Sequence, residues 1–190
     1  MLDFTVVRNH TMSMTDLAQN LKKADLYTAT DEMIDTMLAI VASATDADVV
    51  FVPQDPQAND TFGDPAEREL AWTLGHVVVH ATASSEESAA LALTLARGLE
   101  VEGRSRYETP WQSVTSITQI RHRLEESRRM RKAMLDAWPD EPHLDVTYKP
   151  YTQLGPLNAI SRFIMGLYHD DSHVEQLREI MRQAQAVTSR

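Results

Sequence analysis

Hydrophobic positions recur at helical spacing along four long stretches of this chain, and most of the Pro and Gly residues fall between them. In the first stretch, residues 14–44, Leu17, Leu21, Leu26, Ile34, Met37, Leu38 and Val41 form the repeating set, and Ser13 or Thr15 can cap its start. Pro53, Pro56, Asn59-Asp60 and Gly63 then place a loop over 46–63 that no helix crosses. A second helix is predicted over 65–98. Asp64 would be its N-cap, Pro65 its first helical position, and Glu67 and Glu69 would lie in the first turn, where the helix dipole favours acids. Leu70, Leu74, Val77, Ala81, Ser84, Ser88, Leu91 and Leu95 make its inward stripe. After a break at 103–110, a third helix over 113–138 carries Ile117, Ile120, Leu124, Met134 and Trp138 on one side. Pro139, Pro142 and Pro150 mark the next connection, in which Val146-Thr147-Tyr148 reads as a short extended piece. The fourth helix is predicted over 156–186, opening at Pro156 just after Gly155. Period-two alternation is confined to short runs such as 49–52. The pattern predicts an all-α chain folded as a four-helix bundle, and its long connections suggest a crossover or loops around a site.

Composition narrows the class. A chain of 190 residues suits one domain over residues 1–190, and 43% hydrophobic content supplies a packed core. The chain has no Cys, which removes disulfides, thiolate metal sites and a cysteine nucleophile. The N-terminal stretch lacks the basic start and apolar core of a signal peptide, and no run approaches ~18 apolar residues. A cytoplasmic protein without a membrane partner is the expectation. A formal net charge of −10 disfavours broad binding to nucleic acid or anionic lipid and says nothing positive about a substrate; a small-molecule substrate is the partner that goes with the metal-enzyme reading below. Met33, Met37, Met130 and Met134 suit core gap-filling or, alternatively, the interface of a homodimer.

Chemistry concentrates in the histidines. His169 and His173 are one turn apart on the fourth helix and project ~40° from each other, close enough for both rings to reach one ion. His173 points with Gly166, Leu177, Ile180 and Ala184 on the apolar side, where an imidazole needs partners for its nitrogens. On the second helix His80 lies ~60° from Val77 and His76 ~100°, so His80 is the better third ligand. His76 then supports the site, faces water, or substitutes as a ligand. Glu87 returns to within ~20° of His80 and can orient a ligand or take a proton; a solvated surface carboxylate is the competing reading. His10, His122 and His143 join no comparable set, and His122, flanked by Arg121 and Arg123, is expected to face water.

Two segments resemble a known family. Trp72-Thr73-Leu74-Gly75-His76-Val77-Val78-Val79-His80 is similar to the signature that opens the second helix of DinB-like (DinB/YfiT) proteins. The stretch from His169-Asp170-Asp171-Ser172-His173 through Gln176-Leu177 resembles their closing helix, and Leu154-Gly155-Pro156-Leu157 fits the loop leading into it. The resemblance implies a four-helix bundle with a crossover connection and a divalent ion, nickel, zinc or iron, held by His80, His169 and His173. It also implies activities of the thiol S-transferase, isomerase or hydrolase type, with a low-molecular-weight thiol as cosubstrate in the first. One departure stands out. Many relatives place an acid or histidine soon after the helix-two ligand, whereas here Ala81-Thr82-Ala83-Ser84-Ser85 follows and Glu86-Glu87 comes late.

Three imidazoles leave coordination positions open, as catalytic sites do. Glu-x-x-His pairs, His-Glu-x-x-His, phosphate loops and nucleophile elbows are all missing from the sequence. The reading is therefore a metal-dependent enzyme of thiol S-transferase or hydrolase type. The alternative is a non-catalytic stress-associated or ligand-binding protein whose metal braces the bundle. The basic residues of the third helix read as a solvated face paired with Glu125 and Glu126, although Arg131 is close enough to the apolar side to reach a substrate carboxylate. Trp111, Trp138 and Tyr168 read as core or rim packing.

Overall fold

Short polar side chains that cap backbone N–H groups set where the helices begin, and they move most of the expected boundaries. The computed structural model describes residues 2–56, 58–59, 65, 67–104, 106–150 and 155–188. The expected helix over 14–44 is interrupted. After α1 (Thr5–Arg8) and α2 (Met14–Ala18), α3 runs Lys23–Ile40. The break arises because Lys22 adopts an extended backbone while Asp25 Oδ2 accepts its N–H at 2.7 Å, which starts a new helix there. Thr45 and Asp48 repeat the device for the short α4 (Asp46–Val49), so the run 49–52 begins inside a helical turn rather than a strand.

The second long helix, α5, runs Leu74–Ala96, later than expected. Thr73 Oγ1 accepts the N–H of His76 at 3.3 Å and takes the capping role assigned to Asp64, which lies outside the described residues. Pro65, Glu67 and Glu69 sit in turns, and Glu67 instead accepts bonds from the Trp111 indole and Gln112. At the other end Gly98, with φ +76°, closes α5: its N–H bonds to Leu95 O and that of Leu99 to Thr94 O. A 3₁₀ turn at Trp111–Ser113 precedes α6 (Ile117–Asp136), which opens on a reciprocal Ser116–Gln119 cap. The last helix, α7, is Ala159–Thr188, and Asn158 Oδ1 accepts the N–H of Ser161 at its start. It opens beyond Pro156 because Leu157 is first engaged in a two-residue bridge with Tyr148, as the extended reading of that segment anticipates.

The four long helices form the bundle. α3 packs on α6 and α7, and α5 packs on the same two. Consecutive helices α3 and α5 therefore face each other across a diagonal, as do α6 and α7, and their connections must cross the end of the bundle. Leu26, Ile34, Val77, Leu95, Leu124 and Ile164 are among the fully buried residues between them. Met33 and Met37 are buried too, so they fill the core, and Trp138 meets Phe163 edge-on there. Where α5 meets α7, a Cβ at Gly166 would lie 2.8 Å from Ser88 Cβ and 3.0 Å from Ser85 Cα. The absence of a side chain there lets the two backbones close up. Among the described residues no helix is long and apolar enough to cross a membrane.

Candidate metal centre

That close approach of α5 and α7 brings three histidines together. His80, two turns into α5, faces His169 and His173 of α7, and one ligating nitrogen from each ring lies within 4.8 Å of the others. The His80 and His169 Nε2 atoms are 3.3 Å apart. Nitrogens held tetrahedrally at zinc–nitrogen distances are separated by about 3.3 Å, so that pair already has the spacing of two ligands. His173 Nδ1 donates to Gln176 Oε1 at 2.8 Å, which leaves Nε2 with its lone pair. His169 Nδ1 is buried without a hydrogen-bond partner, the kind of orphaned atom that buried polar sites rarely retain.

Burial pushes His169 down to about 2, helped by the neighbouring His173 and His80. Burial also lowers His173 to about 4, against the raising effect of Gln176. Both rings are therefore neutral at physiological pH, the form that binds a metal. The donor set, the spacing and the protonation all fit a divalent ion.

His76 is elsewhere. Its ring is buried and stacked between Trp72, at 4.3 Å, and Trp111, at 5.0 Å. Trp72 also tilts against His80 and stacks on His173, so one indole backs both the cluster and His76. Trp111 thus has the packing role expected of it. His122 is exposed, and His143 lies over Gly98.

Glu87 is buried rather than solvated, and both of its oxygens are bound by Arg104, at 3.2 and 2.9 Å. The acid beside the histidine rings is Glu108, whose Oε2 is 3.7 Å from His80 Nδ1. Between them reaches Arg106. It donates to His80 Nδ1 at 3.0 Å, to His80 O at 3.3 Å and to Ser84 Oγ at 2.5 Å, and it pairs with Glu108. Burial pushes the Glu108 carboxyl up, but the nearby His80 ring and the paired Arg106 guanidinium outweigh this and bring it down to about 2. These residues lie on a strap that descends α5: Arg104 meets Glu87, Arg106 meets Ser84 and His80, and Trp111 meets His76. Glu102, Arg104, Arg106 and Glu108 recur at every second position in the sequence, but Gly103, with φ +69°, bends the chain within this run, so the spacing alone does not single out Arg106 and Glu108.

Behind the cluster, Asp170 and Arg131 form a fully buried ion pair at 2.5 Å. Ser85 Oγ lies 2.7 Å from Asp170 Oδ1, and Ser127 Oγ accepts from Arg131 Nε at 3.0 Å. The carboxylate that Arg131 reaches is thus internal, not a substrate's. Burial raises the Asp170 carboxyl against the pull of Arg131. The pair pins the backbone of α7 beside His169. Of the other basic residues of α6, Arg128 pairs with Asp31, Asp35 and Glu125, Arg129 with Glu126 and Lys132 with Asp31, while Arg121 donates to the Ala42 carbonyl; Arg123 pairs with the half-buried Glu86.

No curated protein and no solved structure matches the chain. A family model of the DinB superfamily, however, matches residues 29–177, which include all three clustered histidines, Gln176 and the Asp170–Arg131 pair. An all-helical bundle of diagonal connections, with this histidine set between its second and last long helices, accords with that match, and the chain belongs to the DinB superfamily.

Proposed function

We propose that this chain is a metal-dependent enzyme acting on a small molecule, of thiol S-transferase or hydrolase type, in which His80, His169 and His173 hold one divalent ion. The observation that carries this reading is the trio itself: three convergent imidazoles, with no fourth carboxylate or histidine in the group among the described residues. Three neutral ligands leave room for an exogenous one, whereas structural sites are usually closed by a fourth protein ligand. Nickel, zinc and ferrous iron all suit imidazole donors. When bound, the ion supplies Lewis acidity, which at neutral pH lowers the pKa of a coordinated water or thiol.

The chain's own residues do the rest. Gln176 fixes the His173 ring, Trp72 excludes water from one side of the cluster, and the Arg131–Asp170 pair holds α7 in register. Arg106 and Glu108 stand at the partly exposed edge by His80, where a small substrate would enter. Because the chain contains no Cys, a transferred thiol must come from a small cosubstrate.

Purified protein incubated in turn with nickel, zinc and ferrous iron and then desalted is expected to retain about one ion per chain. His173→Ala should largely lose it. Protein that stays metal-free with all three ions overturns the reading. With cobalt in the site, small thiols should shift the ligand-field bands; a silent spectrum points instead to a closed, bracing metal.

A further inference from the structure

His80 stands between two strap side chains that make opposite demands on its Nδ1. Arg106 Nη2 lies 3.0 Å away, and a guanidinium can only donate. In this arrangement Nδ1 therefore offers a lone pair, and the ring proton is on Nε2, directed to His169 Nε2 at 3.3 Å. A ring protonated at Nε2 cannot give that nitrogen to an ion. Glu108 Oε2, an acceptor, stands 3.7 Å from the same Nδ1, just beyond hydrogen-bonding distance. Arg106 and Glu108 are themselves ion-paired, so while one holds Nδ1 the other stays within reach.

We propose that Arg106 and Glu108 are alternating partners of His80 Nδ1: Arg106 holds the ring in its metal-free tautomer, and Glu108 accepts Nδ1–H when an ion takes Nε2. This rests on the metal reading of the cluster given above. The proton balance closes within the ring, since Nε2 loses the proton that Nδ1 gains through solvent. Within the strap only the Arg106–His80 ring contact must break, because Arg106 keeps its bonds to His80 O and Ser84 Oγ. A carboxylate on the far nitrogen of a ligating histidine fixes its tautomer and raises its basicity. Both strap residues are positioning residues, acting on the ion through His80.

The two substitutions should therefore move metal affinity in opposite directions, which a strap that merely packs on α5 would not do. The test is zinc affinity of metal-free protein at neutral pH, by competition with a chromophoric chelator, combined with two-bond ¹⁵N–¹H spectra of the histidines. Glu108→Ala should bind zinc about 10–100-fold more weakly, with Glu108→Gln in between, because its carboxamide accepts the N–H without the charge. Arg106→Met should bind zinc more tightly than the wild type. The wild-type spectra should show His80 protonated at Nε2 without zinc and at Nδ1 with it. Equal affinity in Glu108→Ala and wild type, equal or weaker binding by Arg106→Met, or one His80 tautomer in both states overturns the alternation while leaving the metal centre intact. A wild type that binds no zinc, with His80→Ala no different, overturns the centre itself.

Discussion

At the scale of single residues, the cluster depends on imidazoles kept neutral by burial. His169 and His173 have folded-state pKa values lowered from 6.5 to about 2 and about 4. A lowered value means that the unfolded chain takes up protons first. The stability these rings contribute is thus complete above pH ~6.5 and is lost as pH falls from there, towards about 4 for His173 and about 2 for His169. Between pH 6.5 and 5 the loss should be on the order of 1–2 kcal/mol for each ring. Urea unfolding of the metal-free protein should show this slope, reduced by about half in His173→Asn; a flat profile over that window counts against the buried neutral cluster. The histidines themselves were legible from an i,i+4 spacing and a helical wheel, because both depend only on local geometry. Glu108 and Arg106 were not, because their approach to His80 depends on how an irregular strap lies along α5, and no local periodicity encodes that. Glu87 shows the same limit from the other side. Its angular position on α5 is as expected, but the wheel cannot reveal that Arg104 arrives from 17 residues away to bind it.

At the scale of elements, the core stripes were legible and the helix starts were not. Hydrophobic spacing identifies a helix but is silent about where a cap interrupts it, and Lys22–Asp25 and Thr73 do this inside otherwise continuous patterns. The α5–α7 contact hangs on Gly166, which the helical wheel puts on the inward side of α7 with His173, although the wheel does not tell how close the helices come. Gly166→Ala sets two effects against each other. Helix propensity gains roughly 0.5–1 kcal/mol. Against it, a Cβ 2.8 Å from Ser88 Cβ and 3.0 Å from the Ser85 backbone forces the helices apart, and such overpacking costs about 1–3 kcal/mol. Overpacking should win, because Ser85 Cα belongs to a helix and cannot swing aside. Net destabilisation by urea melt is expected, with weakened zinc binding, since the same displacement separates His80 from His169. A stabilised Gly166→Ala protein would mean that the two helices are not in such close contact.

At the scale of the whole molecule, the cluster is a non-local link. His80 and His169 are 89 positions apart, with α6 and two long connections between them. An ion held by all three rings binds the folded chain only, so it stabilises by mass action, about 2.7 kcal/mol when free ion is 100-fold above Kd. For a chain of this size, roughly 2–4 °C per kcal/mol converts that to a Tm increase of about 5–10 °C. The control is His80→Ala. It leaves the His169–His173 pair intact on one helix, and that pair can still take an ion locally. If the stabilisation comes from bridging α5 to α7, His80→Ala should lose most of the zinc-induced Tm increase, although some zinc still binds. If the pair on α7 suffices, the increase will survive. Differential scanning calorimetry of the two proteins with and without zinc decides between a centre that spans the bundle and one confined to its last helix.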